Sequence, residues 1–504
     1  MILLLAATAA AADLPEVGAW DRYRVDMPDW PGAEATSPTG SVLLAPPPPG
    51  TPWRVEEAPS LDTYDAQEAM EALAVHPWHD AGYDGTGVKI AVFDVQWLNA
   101  ELYPDELGEF ETHDCQAHPS CDLPMDTFRP RYAFEEGSHG VACAQVIHDI
   151  APGAELHLVR VNGGTTLETA GAWAAREGID LVSMSMSFFN TSFYDGTGPV
   201  AGAAGHMASG GVLLVNSAGN YAEEHWDGQY ADHDGDGSMD FDWGSNYLPV
   251  YLHSPAASLL LSWDEFDSCG DSDFDAWVYR QDGVIVGRAE ELQAPGQDHC
   301  EPVERISARV ETSDWYYLRI LHAGGEPTGH LSLFSRGGAV YPTTPGSVAD
   351  PASSPSAFTV GAVRVGDYTT NGAEFFSSVG PSLGGADKPD IAGPDGLTTA
   401  IYGPLGFYGT SASTPAVAAT LALVMQQDPS LTPFQAAERL QANALGGSAV
   451  WQEWDGELGA GRARLWSLDG GSGCRGGQDG AWVFLPSLLW CARMRRTRRP
   501  EEQT

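Results

Sequence analysis

The sequence GTSASTP at residues 409–415 is the stretch around which the rest of this chain is organised. Ser411 follows a glycine turn, and helix-forming residues continue to Gln427. Pro415 falls in the first helical turn, where its missing N–H costs no hydrogen bond. We therefore predict a hydroxyl at a helix N-terminus, where free backbone N–H groups favour developing negative charge. Such a position suits a nucleophile, but most Gly-Thr-Ser triplets are ordinary turns, so the interpretation depends on partners elsewhere.

Apolar, β-rich runs alternate with helical patterns before and after a middle region of different character. The predicted strands lie at 88–93, 155–161, 181–186, 212–215 and 358–363, and the predicted helices at 66–75, 141–148, 166–177 and 200–209, with another starting at Thr432. This alternation predicts an α/β fold with a doubly wound parallel sheet. Between about 222 and 337 the rhythm changes to short alternating strands, at 258–263, 275–279, 284–287, 305–311 and 315–321. That pattern predicts an inserted all-β sandwich or jelly-roll module.

Two residues upstream supply the partners that a serine nucleophile needs. An imidazole must take the hydroxyl proton, and a carboxylate must hold the imidazole. Asp94 ends a buried strand, and sites in open α/β sheets gather at the carboxyl ends of strands. His139 opens a helix after a Gly-Ser turn. The chain order Asp, His, Ser is the order found in subtilisin.

With these motifs the chain resembles the subtilisin-like serine proteases over 76–221 and 338–446, about half its length. The matching motifs are GTGVKIAVFD (85–94), HGVA (139–142), NSAGN (216–220), FSSVGP (376–381), KPDIAGP (388–394) and GTSASTP (409–415). The resemblance implies Ser411 as nucleophile, His139 as general base and then acid, and Asp94 as orienting carboxylate. It also implies that Asn220 donates its amide to the oxyanion. Ser413 is the rival nucleophile, which the Gly-Thr-Ser register disfavours.

The resemblance further implies a substrate-binding cleft. Its residues are Ser185, Met186 and Ser187, on a strand that pairs with the substrate backbone, and Ala218 and Gly219, on the opposite wall of the S1 pocket. Two departures from the family pattern stand out. Val95 replaces the usual Thr or Ser after the aspartate, which removes a hydroxyl that could bond the carboxylate, and Val141 replaces the usual threonine after His-Gly.

Composition and the two termini indicate export. The net charge of −44 makes nucleic acid or an anionic membrane surface an unfavourable partner. Residues 1–12 read MILLLAATAAAA, a signal-like run without the usual basic start, so the start codon could also be misassigned. In an oxidising compartment we expect the pairs Cys115/Cys121 and Cys269/Cys300 to form local disulfides, whereas Cys143 is expected to be buried and unpaired.

We divide the chain into five parts. They are a signal-like segment (1–12), a Pro/Gly-rich arm (13–61), the catalytic domain (62–221 and 338–468), the inserted β-sandwich (222–337) and a tail (469–504). The tail runs from a glycine-rich stretch with Cys474 through an apolar block to an arginine cluster. It resembles the C-terminal sorting tails of myxobacterial secreted proteins, and that resemblance implies surface sorting with transient membrane association. A solvated basic tail is the alternative.

The insert carries the acidic loop DHDGDGSMD at residues 232–240. Acids at alternate positions with a glycine after the third can supply oxygen ligands to Ca²⁺, so we expect structural calcium on Asp232, Asp234, Asp236 and Asp240. The twelfth position is Trp243, so the loop is not an EF-hand, and a solvated acidic turn remains open. No redox cofactor is expected.

The sequence thus predicts a secreted, monomeric serine endopeptidase that acts on protein or peptide substrates. A second hypothesis is a catalytically weak or inactive scaffold that binds a surface glycan or protein through its β-sandwich insert.

Overall fold

The computed structural model describes residues 68–118, 120–125, 127–266, 272–293, 301–327, 329–446 and 454–468, together with the backbone of five short strands nearer the N-terminus. The predictions on the signal-like segment, on Cys269/Cys300 and on the tail at 469–504 therefore lie outside the described residues. The described part through Trp466 forms one compact unit that holds both the α/β part and the insert.

The N-terminal arm contains backbone strands that the sequence did not predict. They are β1 (Tyr23–Val25), β2 (Ala35–Thr36), β3 (Ser41–Leu43), β4 (Arg54–Val55) and β5 (Ser60–Leu61). The first four form an antiparallel sheet in the order β2-β3-β1-β4. The fifth pairs with a strand of the α/β part.

The first half of the α/β part follows the predicted alternation. Its helices are α1 (Ala69–Ala72), α2 (His76–Asp80), α3 (Pro104–Leu107), α4 (His139–Ile150), α5 (Gly164–Glu177) and α6 (Gly198–Ser209). Its strands are β6 (Lys89–Asp94), β7 (Phe110–Asp114), β8 (Glu155–Arg160), β9 (Leu181–Met184), β10 (Met186–Ser187) and β11 (Leu213–Ser217). The segment between Asp94 and Gly137, predicted as a loop, holds β7 and α3, and the predicted Cys115–Cys121 disulfide is present there.

The insert is a two-sheet sandwich, as predicted. Its strands are β12 (His225–Gln229), β13 (Leu248–Leu252), β14 (Ala256–Trp263), β15 (Asp273–Tyr279), β16 (Ile285–Ala289), β17 (Val303–Arg309), β18 (Asp314–Gly324), β19 (His330–Arg336) and β20 (Gly338–Val340). The sheets have the orders β12-β19-β14-β17 and β16-β15-β18-β13-β20, and inward side chains such as Trp263, Phe274 and Leu318 form their common core. All five predicted strands are present, and four more were missed.

The second half of the α/β part completes the sheet and the helical layer. It consists of β21 (Ala357–Arg364), β22 (Ile391–Asp395), β23 (Leu397–Thr399), β24 (Gly403–Phe407), α7 (Thr410–Gln427) and α8 (Pro433–Ala442). The predicted start at Thr432 is confirmed, because its hydroxyl accepts the Gln435 N–H at 3.3 Å in a capping box. Within the described ranges, no helix combines the length and apolar content that crossing a bilayer requires.

The seven-stranded parallel sheet has the order β22-β21-β11-β9-β6-β8-β7. Alternate residues of β6 face α5 and α6, where Ala91 and Phe93 join the core, while Ile90 and Val92 are buried on the opposite face. The chain order reverses at β6, whose neighbours are β8 on one side and β9 on the other. In doubly wound sheets, sites form outside the carboxyl ends of strands at such a switch point. Asp94, the last residue of β6, lies there.

The two parts of the molecule meet in an aromatic cluster. Phe334 from the insert packs with Phe189, Tyr194 and Tyr221 from the α/β part, with ring centroids 4.9–5.7 Å apart. All three pairs are edge-to-face, the arrangement that the ring quadrupoles favour. The insert is therefore packed onto the α/β part beside the NSAGN segment.

Candidate active site

A buried carboxylate and imidazole lie at the switch point of the sheet. Asp94 ends β6 and His139 begins α4, and the Asp94 Oδ2 to His139 Nδ1 distance is 2.6 Å. Both side chains have no exposed surface. The residue after the histidine must be glycine, because a Cβ at Gly140 would lie 2.6 Å from the Asp94 Cβ. The HGVA motif therefore lets the start of α4 approach β6 closely enough for the Asp94–His139 hydrogen bond to form.

The orientation of Asp94 does not need the hydroxyl that the sequence lacks. Asp94 Oδ1 accepts the backbone N–H groups of Val95 at 2.7 Å and Gln96 at 2.8 Å. The indole of Trp97 donates to the Asp94 carbonyl at 3.0 Å. One carboxylate oxygen is thus fixed by the chain that follows it, which leaves the other for the histidine.

Ser411 lies at the start of α7, as predicted. The helix is preceded by Gly409, whose φ of 95° suits only glycine without strain. The Ser411 carbonyl accepts the Ser185 hydroxyl at 3.1 Å and lies 3.8 Å from the Cys143 sulfur. Cys143 is one helical turn after His139, and its sulfur lies within 4.8 Å of both a ring nitrogen of His139 and a carboxylate oxygen of Asp94. The packing of α4 against α7 therefore places the Ser411 turn beside the Asp94–His139 pair.

Cys143 itself is a buried free thiol, as predicted. Burial, and then the negative charge of Asp94, raises the pKa of this thiol well above its usual value. The sulfur therefore stays protonated and contributes packing, not a competing nucleophile.

The side-chain amide of Asn220 has its oxygen toward Thr410 and its NH₂ group turned away from that residue. Asn220 Oδ1 accepts both the backbone N–H and the hydroxyl of Thr410, each at 3.1 Å. The Thr410 hydroxyl in turn accepts the Gly219 N–H at 3.2 Å. Because the Thr410 N–H can only donate, the oxygen of Asn220 must face it. Nδ2 is left without a partner among the described residues.

Three buried polar atoms of the predicted catalytic residues lack a hydrogen-bond partner within the described part of the chain. They are His139 Nε2, Ser411 Oγ and Asn220 Nδ2. Buried polar atoms are rarely unpaired, and each such case requires an explanation such as a role in chemistry. The rival hydroxyl differs, since Ser413 Oγ donates to the Gly393 carbonyl at 3.2 Å. The structure thus separates the two serines that the sequence left in competition.

Asp395 is a residue at this site that sequence reasoning missed. It ends β22, and its Oδ2 accepts the Gly409 N–H at 3.1 Å, so it holds the turn that carries Ser411. Burial raises the pKa of its carboxyl to about 7. The available signal was its place at the carboxyl end of a buried strand, the same signal that identified Asp94.

The predicted substrate-binding residues surround Ser411, but the structure gives them additional partners. Strand β10 pairs antiparallel with β5 of the arm, with Met186 opposite Leu61 and Ser187 opposite Ser60. On the other wall, a Cβ at Gly219 would lie 2.6 Å from the Tyr221 ring. The Tyr221 ring therefore fills the space beside Gly219. Nothing in the sequence indicated this contact.

A hairpin packs against the histidine ring. Strands β23 and β24 form this hairpin, and the ring of Phe407 meets the His139 ring edge-to-face at 5.6 Å. Tyr402 stacks on Phe407 at 5.1 Å. His139 and Ser411 have no exposed surface, so a substrate must displace neighbouring chain to reach them.

The acidic loop of the insert brings together three of its four predicted ligands. Carboxylate oxygens of Asp232, Asp234 and Asp236 lie within 4.8 Å of one another. These carboxylates already accept backbone N–H groups of the same loop, including that of Gly235 at 2.7 Å. Asp240 faces elsewhere, because its Oδ2 accepts the His233 N–H at 2.7 Å.

Comparison with known proteins agrees with this fold. Residues 302–461 match the model of the Subtilase family, a segment that contains Ser411 but not Asp94, His139 or Asn220. The chain is 30% identical over 129 residues to the serine protease AprX of Bacillus subtilis (strain 168), a match that covers 22% of this chain and 28% of that protein. The matched region thus spans well under a third of that curated relative.

Among solved structures, the CspB protease of Clostridium perfringens superposes with a TM-score of 0.54. The identity is 15%, and the match covers 79% of this chain and 98% of that chain. At this identity the likeness shows the fold alone, which is subtilisin-like. The family match and the shared fold thus agree with the predicted subtilisin-like fold.

Proposed function

We propose that this chain is a serine endopeptidase that hydrolyses peptide bonds through an acyl-enzyme on Ser411. In this mechanism Ser411 Oγ attacks the scissile carbonyl while its proton passes to His139 Nε2. Asp94, bonded to His139 Nδ1, keeps the imidazole in the required tautomer and stabilises the imidazolium. The protonated imidazole then gives its proton to the leaving amine, and water deacylates Ser411 by the same route in reverse.

The negative charge on the tetrahedral intermediate needs donors that are already aimed at it. We assign Asn220 Nδ2 and the backbone N–H of Ser411, at the positive end of α7, as these donors. Asn220 is held by Thr410, the residue before the nucleophile, so donor and nucleophile share one turn. Such preorganisation lowers the barrier because no donor has to reorient during the reaction.

The observation that carries this proposal is the pattern of unpaired atoms. The three side-chain atoms that the mechanism uses, His139 Nε2, Ser411 Oγ and Asn220 Nδ2, are all without partners among the described residues. Two neighbouring hydroxyls that the mechanism does not use, Thr410 Oγ1 and Ser413 Oγ, are bonded. Asp395 Oδ1 is a further atom at this site without a partner in the described part of the chain. Catalytic hydrogen bonds are often absent before substrate binds, so the missing Ser–His bond fits this interpretation.

Hydrolysis of a denatured protein mixture tests the proposal. We expect the purified chain to cleave it, Ser411→Ala to abolish cleavage, and Ser413→Ala to retain it. The matched control is informative because Ser413 lies on the same helix and its hydroxyl is already bonded to Gly393. Equal loss in both variants would mean that the helix start, and not the Ser411 hydroxyl, matters.

The insert supports a second candidate function, the binding of a neutral polysaccharide. The outer face of sheet β16-β15-β18-β13-β20 bears a cavity of about 510 Å³ lined by Trp243, Tyr247, Tyr279 and Tyr317, with Arg280 and Gln281 at its rim. Trp243 is 44% exposed and Tyr247 39% exposed. Exposed aromatic patches of this kind mark interaction surfaces, since burying such rings stabilises a complex.

The ligand class follows from the ring geometry and the charges. Tyr247 stands nearly perpendicular to Tyr279 and Tyr317, at 87° and 82°. Such rings offer faces for the C–H groups of a sugar while polar rim groups bond its hydroxyls. Arg280 is neutralised by Asp282 at 2.5–2.8 Å, and the chain is strongly acidic overall. A neutral glycan therefore fits better than an anionic one.

Retention on an insoluble neutral polysaccharide checks this second function. We expect a Ser411→Ala chain to be retained and the same chain with Trp243→Ala and Tyr247→Ala to be lost from the resin. Phe375→Ala, which removes a 63% exposed ring outside the insert, is the control. Unchanged retention of the double variant would refute the proposed surface.

The remaining features of the proposal concern calcium and location. We infer that Asp232, Asp234 and Asp236 bind Ca²⁺, since oxygen ligands suit this ion. Asp240 instead stabilises the loop by accepting the His233 N–H. We also propose that the chain is an exported monomer that acts on protein or peptide substrates. The Cys115–Cys121 disulfide supports export, because such bonds persist in oxidising compartments.

A further inference from the structure

A second group of histidines lies at the edge of the parallel sheet, apart from the catalytic pair. Strand β7 supplies His113 and Glu111, and the neighbouring strand β8 supplies His157, which pairs in register with Glu111. The facing ring nitrogens, His113 Nε2 and His157 Nδ1, are 3.2 Å apart. A carboxylate oxygen of Glu111 is 3.9 Å from the first and 3.8 Å from the second.

Each ring has an inner nitrogen, which faces the other ring, and an outer nitrogen, which faces away from it. The hydrogen bond of the outer nitrogen shows which of the two carries the proton. His113 Nδ1 lies 3.3 Å from the Cys121 carbonyl oxygen, and His157 Nε2 lies 3.1 Å from Glu155 Oε1. A carbonyl and a carboxylate only accept hydrogen bonds, so both outer nitrogens must be N–H donors. In neutral rings the inner nitrogens are then both lone pairs, and they face each other across 3.2 Å.

Two facing lone pairs repel unless a positively charged species lies between them. From this arrangement we propose that Glu111, His113 and His157 form a binding site for a divalent transition metal, with Zn²⁺ as the fitting ion. Two imidazoles and a carboxylate are a common zinc donor set, with water free to complete a tetrahedron. Zinc–nitrogen bonds of about 2.0–2.1 Å at tetrahedral angles place two nitrogens about 3.3 Å apart, close to the distance between these rings.

The surroundings of the site have the features of a supporting shell. Metal-binding histidines almost always donate their other N–H to a carboxylate or a backbone carbonyl, which is the pattern formed here by Glu155 and Cys121. The Trp173 ring packs on His113 at 4.2 Å and on His157 at 5.8 Å and so fixes both rings. The Glu111 side chain is 69% exposed, so it can rotate to bring its carboxylate closer to the two ring nitrogens.

The location indicates what the metal does. Strand β7 is the edge of the sheet, its residues are mostly polar, and the disulfide loop follows it directly. A metal shared by β7 and β8 adds a link between this polar edge strand and the rest of the sheet. The site therefore stabilises the segment 110–121, and it takes no part in the proposed peptide hydrolysis.

Zinc titration of the full chain tests the site, with Ser411→Ala as the parent to prevent self-cleavage. After chelator treatment, we expect calorimetry to find one Zn²⁺ bound per parent chain, no such binding in His113→Gln, and at least about tenfold weaker binding in Glu111→Gln. The controls are His76→Gln and Glu101→Gln, which make the same changes at exposed residues and should bind like the parent. Glu111→Gln alters an exposed side chain, so its result stands even if His113→Gln fails to fold.

Cobalt supplies a spectroscopic readout of the ligands. Co²⁺ in the parent should give visible bands of a nitrogen and oxygen site, without the near-ultraviolet band of a cobalt–thiolate bond. Zinc binding that survives both variants, or a thiolate band, would place the metal elsewhere and refute the proposal. No binding at about 1 mM Zn²⁺ would also refute it, and a shared proton would then explain the facing rings.

Discussion

The α/β part and the inserted sandwich place their polar and aromatic groups in different ways. In the α/β part the inner strands are buried on both faces, and the proposed catalytic site lies at the edge where strands end, at Asp94 and Asp395. In the insert the strands alternate, so one face forms the core and the other presents aromatic rings such as Tyr279 and Tyr317.

In this molecule the functional side chains of the parallel sheet lie together at one place, whereas those of the antiparallel sandwich are spread over one of its faces. Helices cover both faces of the parallel sheet, so only the loops at strand ends are free to carry reacting groups. The open face of an antiparallel sheet has no such restriction and can spread contacts over several strands. Single substitutions should therefore have large effects on catalysis in the first part and small, additive effects on binding in the second.

The largest expected effect is that of Asp94→Asn. It should lower kcat by about 10⁴, because an amide donates to His139 Nδ1 and so favours the wrong tautomer, as in other Ser-His-Asp enzymes. Stopped assays on a peptide substrate measure kcat, and circular dichroism checks the fold. Asp282→Asn in the insert should leave kcat unchanged. A loss of less than tenfold in Asp94→Asn would show that Asp94 only packs.

Asn220→Ala should lower kcat by about 10²–10³ with little change in KM, which is the range for removing the oxyanion-hole asparagine of subtilisin. The reason is that the amide meets negative charge only in the transition state. Steady-state kinetics separate the two constants. Asn246→Ala, which changes a partly exposed asparagine that donates to Asp236 of the acidic loop, is the matched control. A change confined to KM would contradict the assigned role.

Glu304→Gln should change how the stability of the insert depends on pH. Burial, and then the charge of Glu291, raises the pKa of the Glu304 carboxyl to about 9. The folded state therefore binds more protons than the unfolded state above the ordinary pKa, so the free energy of unfolding falls as pH rises from about 4.5 to about 9. The amide cannot ionise, so the variant should lose this slope.

Urea unfolding of the Ser411→Ala chain at pH 5 and pH 8 measures this effect. We expect Glu304→Gln to gain stability relative to the parent between the two pH values, by a few kcal/mol, because only in the parent does the unfolded state gain free energy by ionising a carboxyl that the folded state keeps protonated. The exposed Glu311→Gln serves as control. Parallel pH profiles for parent and variant would mean that Glu304 ionises normally.

The smallest expected effect concerns the arm. Strand β5 pairs with β10, the strand expected to bind the substrate backbone, so the arm competes with substrate. Removal of residues 1–61 should raise kcat/KM about fivefold, since the two paired residues contribute roughly 1 kcal/mol of hydrogen bonding. Progress curves of the full and shortened chains measure the change. An unaltered kcat/KM would show that β5 leaves the cleft freely.

Much of this structure follows from local sequence. The buried strand ending in Asp94 and the helix starts at His139 and Ser411 were predicted because turn, cap and apolar run are contiguous in the chain. The structure then supplied what depends on distant contacts, such as the Gly409–Asp395 hydrogen bond and the partner that separates Ser413 from Ser411.

The strands and the histidine cluster that the sequence did not predict all depend on pairing between distant parts of the chain. Strand β7 was not predicted because FETHD has no apolar run, and an edge strand needs none. Strand β13 contains Pro249, which argues against a strand until its pairing is known. The cluster of His113 and His157 depends on the register of β7 against β8, and no spacing within the sequence encodes that register.

Labelling with a fluorophosphonate, followed by mass spectrometry of the modified peptide, tests the central claim most directly. The account predicts that the reagent modifies Ser411 in the parent and in Ser413→Ala, and that labelling disappears in Ser411→Ala and in His139→Ala. Labelling on Ser413, or on Ser411 without dependence on His139, would contradict it.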